Sequence, residues 1–287
     1  MKIGAVYPQN ELGGDPDAVG RFGRAVEDLG FDHLVAYDHV LGAVHADRTP
    51  QLPGPYTEHD PFHDPFVMFA YLAGITDRIG FTTGVLVLPQ RQTALVARQA
   101  ADVDLLSGGR LRLGVGVGWN HVEYNALGQD FRTRGARQEE QIVLLRQLFT
   151  EPVVDFSGRF EHIDRAALMP KPAGGVPIWL GGSGERAYER AARLADGFMF
   201  FGGRGFDNAI DARQRMYRRV AELGRSVDEF GSEYVALRRG EDLFADIDGW
   251  REAGGTHASV ATMGHGFHTV DAHIDYLAAV ANALGLS

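Results

Sequence analysis

Three places in the chain hold chemically useful groups where a fold can present them. Asp38 and His39 follow a β-like run that ends at Tyr37. An Asp–His pair there can orient an imidazole for acid–base work or bind a polar ring edge, while the plainer reading is that Asp38 only caps a loop. Residues 102–120 read D-V-D-L-L-S-G-G-R-L-R-L-G-V-G-V-G-W-N: a helix end, a Ser107-Gly108-Gly109 turn, then a strand almost bare of side chains at Gly114, Gly116 and Gly118 before Trp119 and Asn120. Glycine costs strand stability, so the pattern predicts close approach of a bound ring or an anionic group. Third, Gly181-Gly182-Ser183-Gly184 lies directly before a helical pattern. Its free amides, the Ser183 hydroxyl and the helix dipole make a phosphate seat, although a plain tight turn uses the same residues. Residues 81–89, F-T-T-G-V-L-V-L-P, add Gly84 in mid-strand between Thr83 and Val85, the mark of a bulge or a close backbone approach.

Several chemistries are excluded. A dinucleotide fingerprint needs a third glycine where Trp119 or His121 stands, and no Gly-Lys-Ser/Thr exists for a P-loop. The absence of cysteine removes disulfides, thiolate nucleophiles, zinc–thiolate sites and iron–sulfur clusters. Lysine occurs only as Lys2 and Lys171, neither placed for a Schiff base. Histidines are plentiful (His39, His45, His59, His63, His121, His265, His268), so a metal must be considered. The usual barrel position for a ligand pair, the end of the first strand, reads Y-P-Q-N, and His59/His63 and His265/His268 fall in loops. No metal is expected. A net charge of −10 argues against nucleic acid or an anionic membrane surface as partner. The first residues turn polar too soon for a secretory signal, and no apolar run approaches the ~20 residues of a membrane span, so the expected setting is cytoplasmic.

These groups need a scaffold, and the alternation of patterns supplies one. Strand-like runs fall at 2–7, 33–37, 79–88, 111–117, 178–180, 198–201, 234–237 and 258–261; helical patterns follow at 16–29, 65–76, 94–106, 136–149, 185–194, 207–223, 241–253 and 270–284. Eight β units, each followed by a helix, predict an α/β fold of the (β/α)8 TIM-barrel type, one domain over residues 1–287. Asp15-Pro16 and Asp64-Pro65 read as N-caps, and Gly30 and Gly254 as C-terminal stops. Insertions interrupt the rhythm after strand two (42–64) and before strand five (151–177, with a hairpin in V-V-D-F-S-G-R-F). Loops after strands face a barrel's active site, so 42–64 is the expected lid. Arg110, before strand four, belongs to the opposite face and is expected to be structural.

In combination and order, these motifs resemble the luciferase-like monooxygenase superfamily, and within it the oxidoreductases that use the deazaflavin coenzyme F420. The resemblance spans nearly the whole chain. It is carried by L-G-F-D-H-L-V-A-Y-D-H (29–39), D-P-F (64–66), R-I-G-F-T-T-G-V-L-V-L-P (78–89) and the 97–120 stretch. It continues in E-Y-N-A-L-G (123–128), R-T-R-G-A-R-Q-E-E (132–140), M-P-K-P (169–172) and P-I-W-L-G-G-S (177–183). It implies a luciferase-like barrel with the cofactor ring at the strands' C-terminal ends, Asp38 and His39 at the ring or substrate, and a cis peptide at Gly84–Val85 forming a bulge under the ring. It further implies that Thr83, Gly116, Gly118, Trp119 and Asn120 surround the cofactor and that Gly181, Gly182 and Ser183 hold its phosphate. The Asp-His pair resembles the deazaflavin branch; FMN-dependent members often carry Glu-His-His there, so FMN is the alternative.

With a deazaflavin the expected reaction is hydride transfer to or from a small organic substrate, His39 serving as hydrogen-bond donor or proton relay held by Asp38. With FMN it is monooxygenation by reduced flavin and oxygen. Tyr56, Phe62, Phe66 and Trp119 suggest a partly aromatic pocket, a homodimer is a family expectation, and the substrate is not encoded in any transferable motif.

Overall fold

The first strand, β1 (Lys2–Val6), is buried after its first residue, as a strand of a sheet covered on both faces should be. A computed structural model, which describes residues 1–286, pairs it in parallel with β2 (His33–Ala36) on one side and β11 (His257–Ala261) on the other. The pairing continues from β2 to β3 (Gly80–Thr83), β5 (Leu111–Gly116), β8 (Ile178–Gly181), β9 (Gly197–Phe201), β10 (Gly231–Ala236) and back to β11. Eight parallel strands therefore close into the expected (β/α)8 barrel. The short strand β4 (Leu86–Val87) resumes the third barrel strand beyond the Gly84–Val85 peptide, which is cis. Phe81 pairs with Leu111 and Leu86 with Val115, so this strand carries one residue more than β5 over the same span, a bulge at the position Gly84 marks.

The outer ring is α1 (Pro16–Asp28), α2 (Pro65–Ala73), α3 (Thr93–Ser107), α5 (Arg134–Thr150), α6 (Glu185–Leu194), α7 (Phe206–Glu222), α8 (Glu241–Glu252) and α9 (Val270–Leu284). Asp15 and Asp64 cap α1 and α2 by accepting backbone N–H groups, each ahead of a first-turn proline. The insertion before β8 forms an antiparallel hairpin of β6 (Val154–Ser157) and β7 (His162–Ala166), longer than its V-V-D-F-S-G-R-F core. One element was not expected: the loop after β5 holds a short helix, α4 (His121–Ala126). No described helix is long and apolar enough to cross a membrane.

Inside the barrel the side chains form layers. Towards the strands' N-terminal ends lie His33, Arg112, Glu233 and Ser259, joined by hydrogen bonds. Above them comes an apolar layer including Val6, Val35, Met199, Val235 and Ala261, on which Tyr37, Val85, Phe201 and Met263 pack. Arg110 donates to the carbonyls of Ser107, Thr76 and Ile79 at 2.6, 2.9 and 2.8 Å, tying α3 to the start of β3, the structural role its position predicts.

Candidate active site

The uppermost barrel layer is the floor of a cleft of about 550 Å³ at the strands' C-terminal ends, lined by Asp38, His39, Gly84, Val85, Gly118 and Trp119 among others. His39 stands against Tyr56, Phe62 and Trp119, with ring centroids 5.3, 5.0 and 5.4 Å away. Its Nδ1 lies 3.2 Å from Oε2 of Glu123, the third residue of α4. Oε1 of the same carboxylate accepts the backbone N–H groups of Val40 and of Leu41, the latter at 3.1 Å. Burial alone would raise the Glu123 pKa, but His39 and these two amides outweigh it and hold the group below the usual carboxylate range. An ionised carboxylate only accepts, so Nδ1 carries the proton. Nε2 is left as the ring nitrogen with no protein partner among the described residues.

This corrects the expectation that Asp38 holds His39. Neighbours in an extended chain point to opposite sides, and Asp38 turns away to accept the Val87 N–H at 2.8 Å and Arg91 at 2.7 Å. Arg91 reaches Asp64 as well, at 3.1 Å. Burial disfavours its charge, but Asp38 and then Asp64 outweigh burial and hold its pKa above the ordinary arginine value. Asp38 thus anchors β4 and the bulge, while Glu123 orients the imidazole.

The bare strand end has a different physical cause from the expected one. A Cβ on Gly116 would lie 2.4 Å from Val85 Cγ2, and one on Gly181 2.6 Å from Val85 Cγ1. A Cβ on Gly118 would lie 2.6 Å from Val87 Cγ1. What approaches these glycines is the third barrel strand itself: Val87 of β4 lies against Gly118, and at the bulge Val85 sinks between β5 and β8 and makes the cleft floor. Gly116 and Gly181 therefore lie beneath Val85 rather than along the cleft. Thr83 is also turned away, its hydroxyl donating to the Gly114 carbonyl at 2.6 Å. Asn120 is the N-cap of α4, accepting from Val122 and Glu123. Phe66 is in the core.

A second hollow, lined by Gly182, Ser183, Arg204 and Asn208, adjoins the cleft through Phe201, which faces both. The helices α6 and α7 begin beside it at Gly184 and Gly205, with no side chain capping either N-terminus. Their first amides are free for an anion. Over the cleft, the 42–64 insertion closes as a lid: Gly54 lies flat on the Trp119 ring and His45 contacts the Tyr56 carbonyl at 2.9 Å. Among the described residues no three histidines or carboxylates converge as a metal-ligand set.

Comparison with known proteins places this geometry. The family model described as luciferase-like monooxygenase matches residues 2–239. The chain belongs to that family. It is 36% identical over 218 residues to an uncharacterized protein of Mycobacterium tuberculosis, covering 75% of each chain. It is 34% identical over 179 residues to an F420-dependent glucose-6-phosphate dehydrogenase of Nocardia farcinica, covering 59% of this chain and 53% of that one. Among solved structures, an F420-dependent secondary alcohol dehydrogenase in complex with an F420-acetone adduct superposes with a TM-score of 0.80 at 17% identity, over 98% of both chains. The protein is thus a luciferase-like enzyme, an oxidoreductase whose family uses a flavin or deazaflavin. In this luciferase-like chain, the residues missed by sequence reasoning are Glu123, Arg91, Arg204 and the cleft walls Asn10, Leu237 and Met263. The only signal for Glu123 was its place in the E-Y-N-A-L-G motif.

Proposed function

We propose that the protein is a deazaflavin-dependent oxidoreductase that moves a hydride between coenzyme F420 and a small organic substrate. The observation that carries this reading is the shape of the two hollows. An apolar cleft, floored by Val85 and walled by Tyr37, Trp119 and Phe201, opens past Phe201 into an anion seat. A planar ring joined to a phosphate fits such a pair of sites. Val85 and the walls would hold the ring, and Gly182, Ser183 and Arg204 its phosphate. Bound there, the deazaflavin supplies a carbon that accepts or returns a hydride. His39 would handle the accompanying proton: with Nδ1–H fixed on Glu123, Nε2 is the atom that takes a proton from, or returns it to, a substrate oxygen. The aromatic enclosure of His39 and the lid exclude water from that exchange.

The test is a calorimetric titration of the apo-protein with F420 and with FMN. Micromolar F420 binding with FMN at least about tenfold weaker is expected; preference for FMN would move the protein to the oxygen-using reading. Gly182→Asp, which sets a carboxylate in the anion seat, should weaken F420 binding. Gly116→Ala should also weaken it, roughly tenfold, because the new methyl drives Val85 up into the cleft. Adding Val85→Ala to that variant should restore affinity. An unchanged dissociation constant in Gly116→Ala would show that the bulge does not bear on the ring.

A further inference from the structure

We infer that the cleft selects by charge: the substrate is uncharged and largely apolar, with one hydrogen-bonding oxygen, and phosphorylated or carboxylated molecules of the same shape are rejected. This rests on the cleft being the reaction site. Its walls include Tyr37, Tyr56, Val85, Trp119, Leu237 and Met263. Burial, and then Asp60, push the Tyr56 pKa up to about 12, so this wall is a neutral phenol. The polar atoms of the lining not already committed are Nε2 of His39 and Oδ1 of Asn10, the latter a buried acceptor left without a donor. That acceptor calls for an O–H or N–H on the ligand.

The electrostatics agree. Behind His39 stands the Glu123 carboxylate, and under the floor Asp38 and Asp64 share the single cation Arg91. An anion entering the cleft would come up against these acidic groups and a guanidinium that already has both its partners, and it would lose its hydration without gaining a counter-ion. None of the residues lining the cleft is an arginine or lysine. Arg204 lies beyond Phe201, in the neighbouring anion seat. Charge is thereby sorted between the two hollows: the anionic part of the cofactor goes to one, and a neutral reacting partner to the other.

The experiment uses ligands of one shape and different charge. F420-loaded protein, its loading measured beforehand by fluorescence, is titrated calorimetrically with 2-naphthol and with 2-naphthyl phosphate. Neutral secondary alcohols are then compared for turnover with analogues that keep the same free carbinol and carry a phosphate or carboxylate elsewhere on the molecule. At least roughly tenfold tighter binding of the naphthol, and the same order in kcat/KM, is expected. Leu237→Arg, which adds a cation at the cleft wall, should narrow the gap severalfold. Equal or tighter binding of naphthyl phosphate, or a ratio unmoved by Leu237→Arg, would overturn the inference. Failure to load F420 would strike the cofactor reading instead, and the naphthol pair would then test charge selection on the apo-protein, with the same two outcomes.

Discussion

Glu123→Gln is expected to lower kcat about 100-fold while cofactor affinity stays within a fewfold of the parent. The amide has one acceptor oxygen where the carboxylate has two. It cannot receive Nδ1–H of His39 and the Val40 and Leu41 amides together. Either the imidazole loses its tautomer and rotates, or the start of the lid loosens. The two consequences separate experimentally. If Glu123 acts through His39, then once His39→Ala has removed the imidazole, adding Glu123→Gln should cost little more. The pH profile of kcat should shift in Glu123→Gln, and Glu123→Asp should recover part of the rate. Losses that multiply in the double variant, with KM rising and kcat held, would show that the carboxylate merely supports the loop.

The barrel was legible because its local signals agree. Apolar runs too short for helices alternate with amphipathic stretches ending in Asp-Pro caps or glycine stops, and the observed elements match within a few residues of each boundary. The site was legible only where one segment carries the information. His39, Trp119 and the Gly84 bulge are each announced by their own surroundings. The partner of His39 is not: Glu123 lies 84 positions away, on a helix of six residues whose N-cap, Asn120, reads from sequence as a ligand contact. Asp38 misleads for the opposite reason, since adjacency along an extended chain separates two side chains rather than joining them. The glycines correctly signal a close approach to the strand but not what approaches. It is the neighbouring strand of the same chain, the Thr83 carbonyl at Gly114, Val85 at Gly116 and Val87 at Gly118, in positions set by the barrel's closure and invisible to any local pattern.

Glu233→Leu is expected to destabilise the fold by about 3–5 kcal/mol, the cost of breaking a buried ion pair from one side. Glu233 is fully buried, accepting from Arg112 at 2.5 Å and from His33 Nε2 at 2.7 Å, with Ser259 donating as well. Burial would raise its pKa; Arg112 and His33 outweigh burial and hold it far below the usual range. Removing the carboxylate leaves Arg112 charged between Trp179 and the barrel wall. Arg112→Met with Glu233→Leu should recover much of the loss, because an apolar pair replaces a paired charge at little cost. Urea midpoints at constant m-value measure both, and a single-variant cost under about 1 kcal/mol would show that the layer is hydrated rather than dry. Acid should unfold the protein from its histidines first. Burial lowers His257 to about 3, with Arg112 and His33 adding to it, and lowers His273 to about 4. The unfolded chain therefore binds protons that the native state refuses. Stability is full above about pH 6.5 and falls towards pH 4 by about 1.4 kcal/mol per histidine per pH unit. The Glu233 contribution, present above the unfolded carboxylate value, fades only below it. His273→Gln should flatten the fall between pH 6.5 and 4, and an unaltered slope would mean that His273 takes up its proton in the native state.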